Sequence, residues 1–221
     1  MKRLVLLLVL ALSLCVGCDD RSWWEYRDDP YLTDLATRGR QEVLRNVNSA
    51  NREERQAALR IVAHQAGEAR RRGKEAEADR LEEVLVRRYF DEKDAIVRAC
   101  IVRICAPEVG RGGKRTVKFL RERMAAGEFP GYAALSLAAL APHEAFQDID
   151  PLTRHPAPEI RLQAATALTV LGDPRGYDSA FRVWRSMTTP AWPDRVDGVP
   201  LAEAKTSLAV RIQRAFGRQL H

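Results

Sequence analysis

Six cations, Arg111, Lys114, Arg115, Lys118, Arg121 and Arg123, fall within thirteen residues that hold a single acid, Glu122. Lys114, Lys118 and Arg121 recur at the spacing that puts side chains on one face of a helix. Such a face attracts an acidic protein segment or anionic headgroups, and the six form a candidate partner-binding basic patch. A solvated, Arg-rich helix surface is the plainer reading of the same residues. The stretch begins with Gly110-Arg-Gly-Gly-Lys-Arg-Thr116, which has the glycines and lysine of a phosphate-cradling loop. That chemistry would need Gly at the position of Glu108 and Ser or Thr at that of Arg115, and no strand pattern precedes it, so an interhelical turn is expected. His64 and Glu68 stand one helical turn apart, but no His-Glu-x-x-His, no Gly-x-Ser-x-Gly and no second ligand pair accompanies them. His143 and His155 lie beside prolines and read as solvated or capping groups. Glu53-Glu54 and Glu82-Glu83 sit among mixed charges and read as solvated faces. No catalytic, metal or cofactor constellation emerges, and a protein without enzymatic activity is expected.

The remaining reactive side chains are the four cysteines, and the elements around them decide their chemistry. Lys2 and Arg3 precede a run from Leu4 to Val16 that is apolar except for Ser13, shorter than the roughly 20 residues of a membrane span. A charged start followed by a short apolar run is the architecture of a secretory signal. The run ends at Cys15-Val16-Gly17-Cys18, followed by Asp19-Asp20. This junction resembles the lipobox of bacterial lipoproteins, with Gly17 in the small position before the modified cysteine; Cys15 stands where that box usually carries leucine. The resemblance implies a signal peptide over 1–17, cleavage before Cys18, and acylation of Cys18 with diacylglycerol and palmitate-type chains. More than one acyl chain on a residue anchors stably where one is marginal. It further implies export to a bacterial cell envelope on the periplasmic face of a membrane, with Asp19 favouring the inner one. Cys100 and Cys105 then remain as thiols, roughly 140° apart on a helix, too divergent to bridge without unwinding it. Their apolar neighbours point to buried packing, with a redox or metal pair as the alternative.

Residues 18–30 form a short lipidated tether in which Trp23, Trp24 and Tyr26 stand among charges. These rings suit either the headgroup level of a bilayer or packing on the first helix. From Tyr31 onward a helical pattern runs almost to the end, and it repeats. Arg55-Gln-Ala-Ala-Leu-Arg-Ile61 returns as Arg98-Ala-Cys-Ile-Val-Arg-Ile104, as Gly131-Tyr-Ala-Ala-Leu-Ser-Leu137 and as Leu162-Gln-Ala-Ala-Thr-Ala-Leu168. Small residues hold the middle of each phrase, which lets neighbouring helices approach closely. Second helices are expected over 75–89, 115–126 and 177–187, with a shorter one near 143–154 that Pro151 interrupts. Breaks are expected at Pro107, Gly110–Gly113, Pro130-Gly131, Pro156–Pro158 and Gly172–Pro174. Helix pairs of this length cannot bury an apolar face alone and must stack.

The run His155-Pro-Ala-Pro-Glu-Ile-Arg-Leu-Gln-Ala-Ala-Thr-Ala-Leu-Thr-Val-Leu-Gly-Asp-Pro-Arg175 resembles a HEAT-type repeat, in the short form also found in phycobilisome-lyase-like proteins. The resemblance implies an all-α, right-handed α-solenoid of about four HEAT-like helix pairs, over about 50–90, 94–126, 131–154 and 157–187. Capping helices would close it, the last over about 201–217, with 31–221 as one domain after a Pro-rich loop at 188–200. HEAT solenoids bind partners, usually proteins, along one face.

Composition narrows the classes further. With 46% hydrophobic, 30% charged and only 7% aromatic residues, the chain fits a helical soluble body and excludes disorder, collagen-like structure and a multi-span membrane protein. The formal charge of +6 is local in origin: 34 basic against 30 acidic side chains remain once Lys2 and Arg3 leave with the signal. Residues 111–123 contribute an excess of five, which leaves the rest of the chain close to neutral. The reading is a membrane-anchored, non-catalytic scaffold or protein-binding module at the cell envelope. The alternatives are an accessory or maturation factor that holds a client or small ligand in the groove, and a cytosolic nucleic-acid-binding repeat protein. Export argues against nucleic acid as a partner. No cofactor is expected.

Overall fold

The computed structural model describes residues 40–104, 113–141, 143–188 and 190–217. The expected signal peptide, Cys18, the tether aromatics, Cys105 and Arg111 lie outside these residues. The described chain is mostly helical, with almost no strand.

After the short α1 (Arg40–Asn46), α2 (Arg52–Arg71) begins at Asn51, whose side chain accepts the N–H groups of Glu53 and Glu54. Those two acids occupy the first turn, where they complement the positive end of the helix. α2 ends at Gly73 with φ 71°, and the chain reverses into α3 (Glu75–Asp91), which packs along α2. α4 (Ala95–Ile104) and α5 (Lys114–Ala125) follow, then α6 (Pro130–Leu140), which Pro130 opens. The expected short second helix at 143–154 is one turn, α7 (Phe146–Ile149), continued by a 3-10 turn over Asp150–Arg154. Pro151 lacks an N–H, so the tighter turn replaces further α-helix there. α8 (Pro158–Leu171) starts on Pro158 and stops at Gly172 with φ 66°. α9 (Tyr177–Ser186) and α10 (Leu201–Phe216) complete the helices.

Helices α2, α4, α6, α8 and α10 touch in series, each on the next, and α6 against α8 is the broadest of these contacts. Their contact faces are small: Ala57, Ala58, Ala63 and Ala66 on α2, Ala133, Ala134 and Ala138 on α6, Ala164, Ala165 and Ala167 on α8, all buried. Leu59, Ile101, Leu137, Leu168, Leu208 and Ile212 fill the spaces between them. Each such leucine or isoleucine contributes about 1.5–3 kcal/mol by leaving water. Ser136 adds a directional link, donating to the Val102 carbonyl across the α4–α6 contact at 2.7 Å.

The Pro-rich loop after α9 holds an element that the sequence reading missed. Arg195-Val196 pairs antiparallel with Val199-Pro200, giving β1 (Arg195–Val196) and β2 (Val199–Pro200). Asp197 (φ 51°) and Gly198 (φ 77°) both adopt positive φ, the requirement of the two-residue hairpin turn that Asp-Gly favours. Buried Val196 and Trp192 seat the segment on the body, and the Arg161 guanidinium lies 4.7 Å from the Trp192 ring centre.

Candidate functional site

The basic stretch does not present its charges together. Lys114 and Lys118 are exposed on α5, and Lys118 faces Glu122 at 3.8 Å. Arg115 pairs with Glu83 of α3 at 3.0 Å. Arg121 turns the other way, to Asp148 of α7 at 2.8 Å and Glu144 at 3.2 Å. Arg123 folds inward against aromatic rings. Acids on flanking elements therefore answer two of the five described cations, Lys118 faces an acid of its own helix, and Arg123 reaches Glu128 at 2.8 Å. Arg182 and Arg185 of α9 are exposed. His64 is half-buried, and among the described residues no three His, Cys, Asp or Glu side chains group as a metal site. Cys100 is buried, and burial pushes its thiol pKa upward, away from a reactive thiolate.

The start of α5 carries Lys114 and Arg115 at the helix end that disfavours cations. Glu82 of α3 offsets them. Its carboxylate, almost fully buried, accepts the Gly113 N–H at 3.1 Å, the Thr116 hydroxyl, and Arg70 through Nε at 3.1 Å and Nη2 at 2.5 Å. Arg70 also reaches Asp79 at 2.8 Å and Glu75. This cluster ties α2, α3 and α5 together.

The opposite end of α5 differs. An open pocket of ≈ 410 Å³ lies where α4, the α5–α6 turn, α6 and α8 meet; Arg98, Glu128, Phe129, Tyr132, Ile160 and Gln163 are among its walls. Gly127 (φ 71°) ends α5, and Phe129 then takes a left-handed conformation, φ 53°, ψ 46°, before Pro130. That backbone costs a bulky residue about 1–2 kcal/mol. At Gly131 a Cβ would sit 1.8 Å from the Gln163 carboxamide oxygen, so only glycine admits that side chain. Gln163 in turn donates to Asp197 of the hairpin turn at 2.8 Å.

Beside the pocket stands a cluster of rings. Tyr89 and Phe90 of α3 and Phe119 of α5 meet edge-on, with centres 5.0–6.1 Å apart. The Arg123 guanidinium lies 5.2 Å from the Phe90 centre and 5.6 Å from that of Tyr89. Glu128 accepts the Tyr89 hydroxyl at 2.6 Å as well as Arg123. Burial, and then this bond to a carboxylate, push the Tyr89 pKa up to about 12. The Tyr89 and Arg123 hydrogen bonds hold the Glu128 carboxyl below its usual value. Neither group exchanges a proton near neutral pH, so the two supply fixed charge and hydrogen bonds. Phe90 remains 60% exposed.

Sequence reading found the α5 cations but not this pocket. Its one legible trace was the arginine at the fourth position of a first helix, present as Arg55, Arg98 and Arg161. No protein family, no curated protein and no solved structure matches the chain in comparisons with known proteins.

Proposed function

We propose that the chain is a lipid-anchored protein of a bacterial envelope, a right-handed solenoid of HEAT-like helix pairs that binds a partner protein and performs no chemistry on it. Support for the repeat architecture comes from the serial contacts of α2, α4, α6, α8 and α10, which carry the recurring small-residue phrases. Support for the anchor is the Gly17-Cys18 junction after a short apolar run. Among the described residues no helix is long and apolar enough to cross a membrane. The observation that carries the binding reading is the open pocket spanning α4, α6 and α8, walled by the Phe129 and Tyr132 rings, the Arg98 guanidinium, the Glu128 carboxylate and the Gln163 carboxamide. Its ≈ 410 Å³ falls within the range of small-ligand sites, so a ligand-holding accessory factor is the second reading.

Two experiments test this. Metabolic labelling with palmitate marks the wild-type chain and not Cys18→Ala; absence of label on the wild type overturns the anchor. A photocrosslinking residue placed at Tyr132 captures a partner in intact cells, whereas one at Lys114, on the far end of α5, does not. Absence of any adduct from Tyr132 removes the binding reading.

A further inference from the structure

The three arginines at the fourth position of α2, α4 and α8 occupy equivalent places in their helices but not equivalent surroundings. Arg55 Nη1 donates back to the carbonyls of Ser49 and Ala50 at 2.8 and 2.9 Å. Arg161 Nη1 does the same to His155 and Pro156 at 3.0 and 2.8 Å. In both, the guanidinium bonds the chain five and six residues earlier and fixes how it enters the helix. Arg98 makes no such bond and no ion pair among the described residues. Its Nε is buried without a partner, its guanidinium stands 6.0 Å from the Tyr89 ring centre, and it lines the pocket.

The neighbouring anion feels the Arg98 charge but makes no hydrogen bond to it. Glu128 is already engaged by Tyr89 and by Arg123. Arg98 and Glu128 line the pocket, and because Glu128 is already paired with Arg123 in the ring cluster beside it, these three groups together carry one positive charge in excess. The backbone adds to it: α6 starts without a side-chain cap, and Gly131 and Tyr132, both on the pocket wall, are its first residues with an N–H. We propose that this pocket binds a single carboxylate of the partner protein, an acidic side chain in an extended segment, with Arg98 as the recognising cation. A monoanion matches one spare charge, whereas a phosphate dianion would meet the Glu128 carboxylate at close range. Phe129, Ile160 and Tyr132 offer apolar contact to the residue beside the acid, and exposed Phe90 extends the surface beyond the pocket. The proposal rests on the binding reading above and places the recognition away from the Lys114–Lys118 face.

The test uses the full chain in detergent and three probe peptides: a blocked Gly-Glu-Phe-Gly, its Gln counterpart and its phosphoserine counterpart, titrated by calorimetry. The Glu peptide binds saturably, and the Gln peptide and Arg98→Gln each weaken binding by at least about tenfold, the scale of one charge-assisted hydrogen bond. Arg98→Lys restores part of the affinity, because a monodentate cation remains. Lys118→Gln leaves it unchanged, and the melting temperature of Arg98→Gln stays at the wild-type value, since Arg98 holds no structural bond. Glu-peptide binding that survives Arg98→Gln, tighter binding of the phosphopeptide, or no binding at all overturns the carboxylate assignment. In cells, an adduct from Tyr132 that persists undiminished in Arg98→Gln sinks this proposal while the groove reading stands; loss of every Tyr132 adduct in the wild type sinks the groove reading itself.

Discussion

The start of α5 gathers Arg70, Glu82, Gly113 and Thr116, while its end gathers Tyr89, Arg123, Glu128 and, one helix away, Arg98. Both are clusters of charge between α3 and α5, and both lie next to a chain reversal. At the start, a buried anion receives an amide, a hydroxyl and a guanidinium, and its cation is shared among three acids. At the end, one carboxylate serves one guanidinium, Arg123, and a hydroxyl, a cavity opens beside them, and a second guanidinium, Arg98, is left over. The first arrangement fixes helices; the second leaves charge available to something outside the chain. The total charge of a stretch says little about which of these it builds. Residues 111–123 hold the largest local excess in the sequence, and their described arginines are answered by acids on neighbouring elements.

The sharpest way to break this contrast is at Glu82. Removing the buried carboxylate leaves the Gly113 amide and the Thr116 hydroxyl without their acceptor and Arg70 with only the exposed Asp79 and Glu75, and breaking a buried pair costs about 3–5 kcal/mol. Glu82→Ala is therefore expected to lower the urea-unfolding free energy by about that amount, and Glu82→Gln by less because it keeps one acceptor. A loss below about 1 kcal/mol for the alanine variant would show that the start of α5 does not depend on the cluster.

Gly131→Ala comes next. The added methyl would meet the Gln163 carboxamide, which has no free side to move toward without leaving Asp197. Overpacking of this kind costs about 1–3 kcal/mol. The expected signature is a loss of stability in that range accompanied by exposure of the hairpin turn, read as faster amide exchange at Asp197 and Gly198. Wild-type exchange at those amides would mean that Gln163 does not transmit strain from α6 to the hairpin.

Much of the helical framework was legible before the structure. The small-residue phrases marked α2, α4, α6 and α8, and Leu201–Phe216 is the helix that the spacing of Leu201, Ala204, Leu208 and Ile212 predicts. Pro151 correctly signalled a broken second helix, although only one α-helical turn survives there. The hairpin at 195–200 was hidden because proline content dominated the reading, although Val-Asp-Gly-Val carries the strongest short hairpin signal known. The pocket was illegible for a deeper reason. Arg55, Arg98 and Arg161 look alike in sequence, and what separates Arg98 is the absence of carbonyl partners, a property of how the chain enters α4. Likewise nothing in the spacing of Tyr89, Arg123 and Glu128 reveals that they converge, since the turn that unites them depends on the backbone at Gly127 and Phe129.

The smallest expected effect lies at the α5 end itself. Glu128 is partly exposed, so Glu128→Gln is expected to change stability by less than about 1 kcal/mol. Its signature is spectroscopic. In the wild type Tyr89 titrates near 12, above the ordinary value of 10, because burial and the Glu128 carboxylate both oppose its ionisation. In Glu128→Gln the burial remains and the carboxylate charge is gone, so Tyr89 moves back toward 10 without reaching it. The linkage has a definite sign. Between about pH 10 and 12 the folded chain keeps the Tyr89 proton that the unfolded chain has lost, so its contribution is complete below pH 10 and disappears as pH rises through 12. The lowered Glu128 carboxyl acts in the opposite window: its contribution is present above the ordinary carboxylate range and is lost as pH falls through the folded value. Ultraviolet difference titration should therefore resolve one late tyrosine in the wild type. If all tyrosines ionise together near pH 10, the Tyr89–Glu128 bond is absent in solution, and the excess positive charge at the pocket must be counted without it.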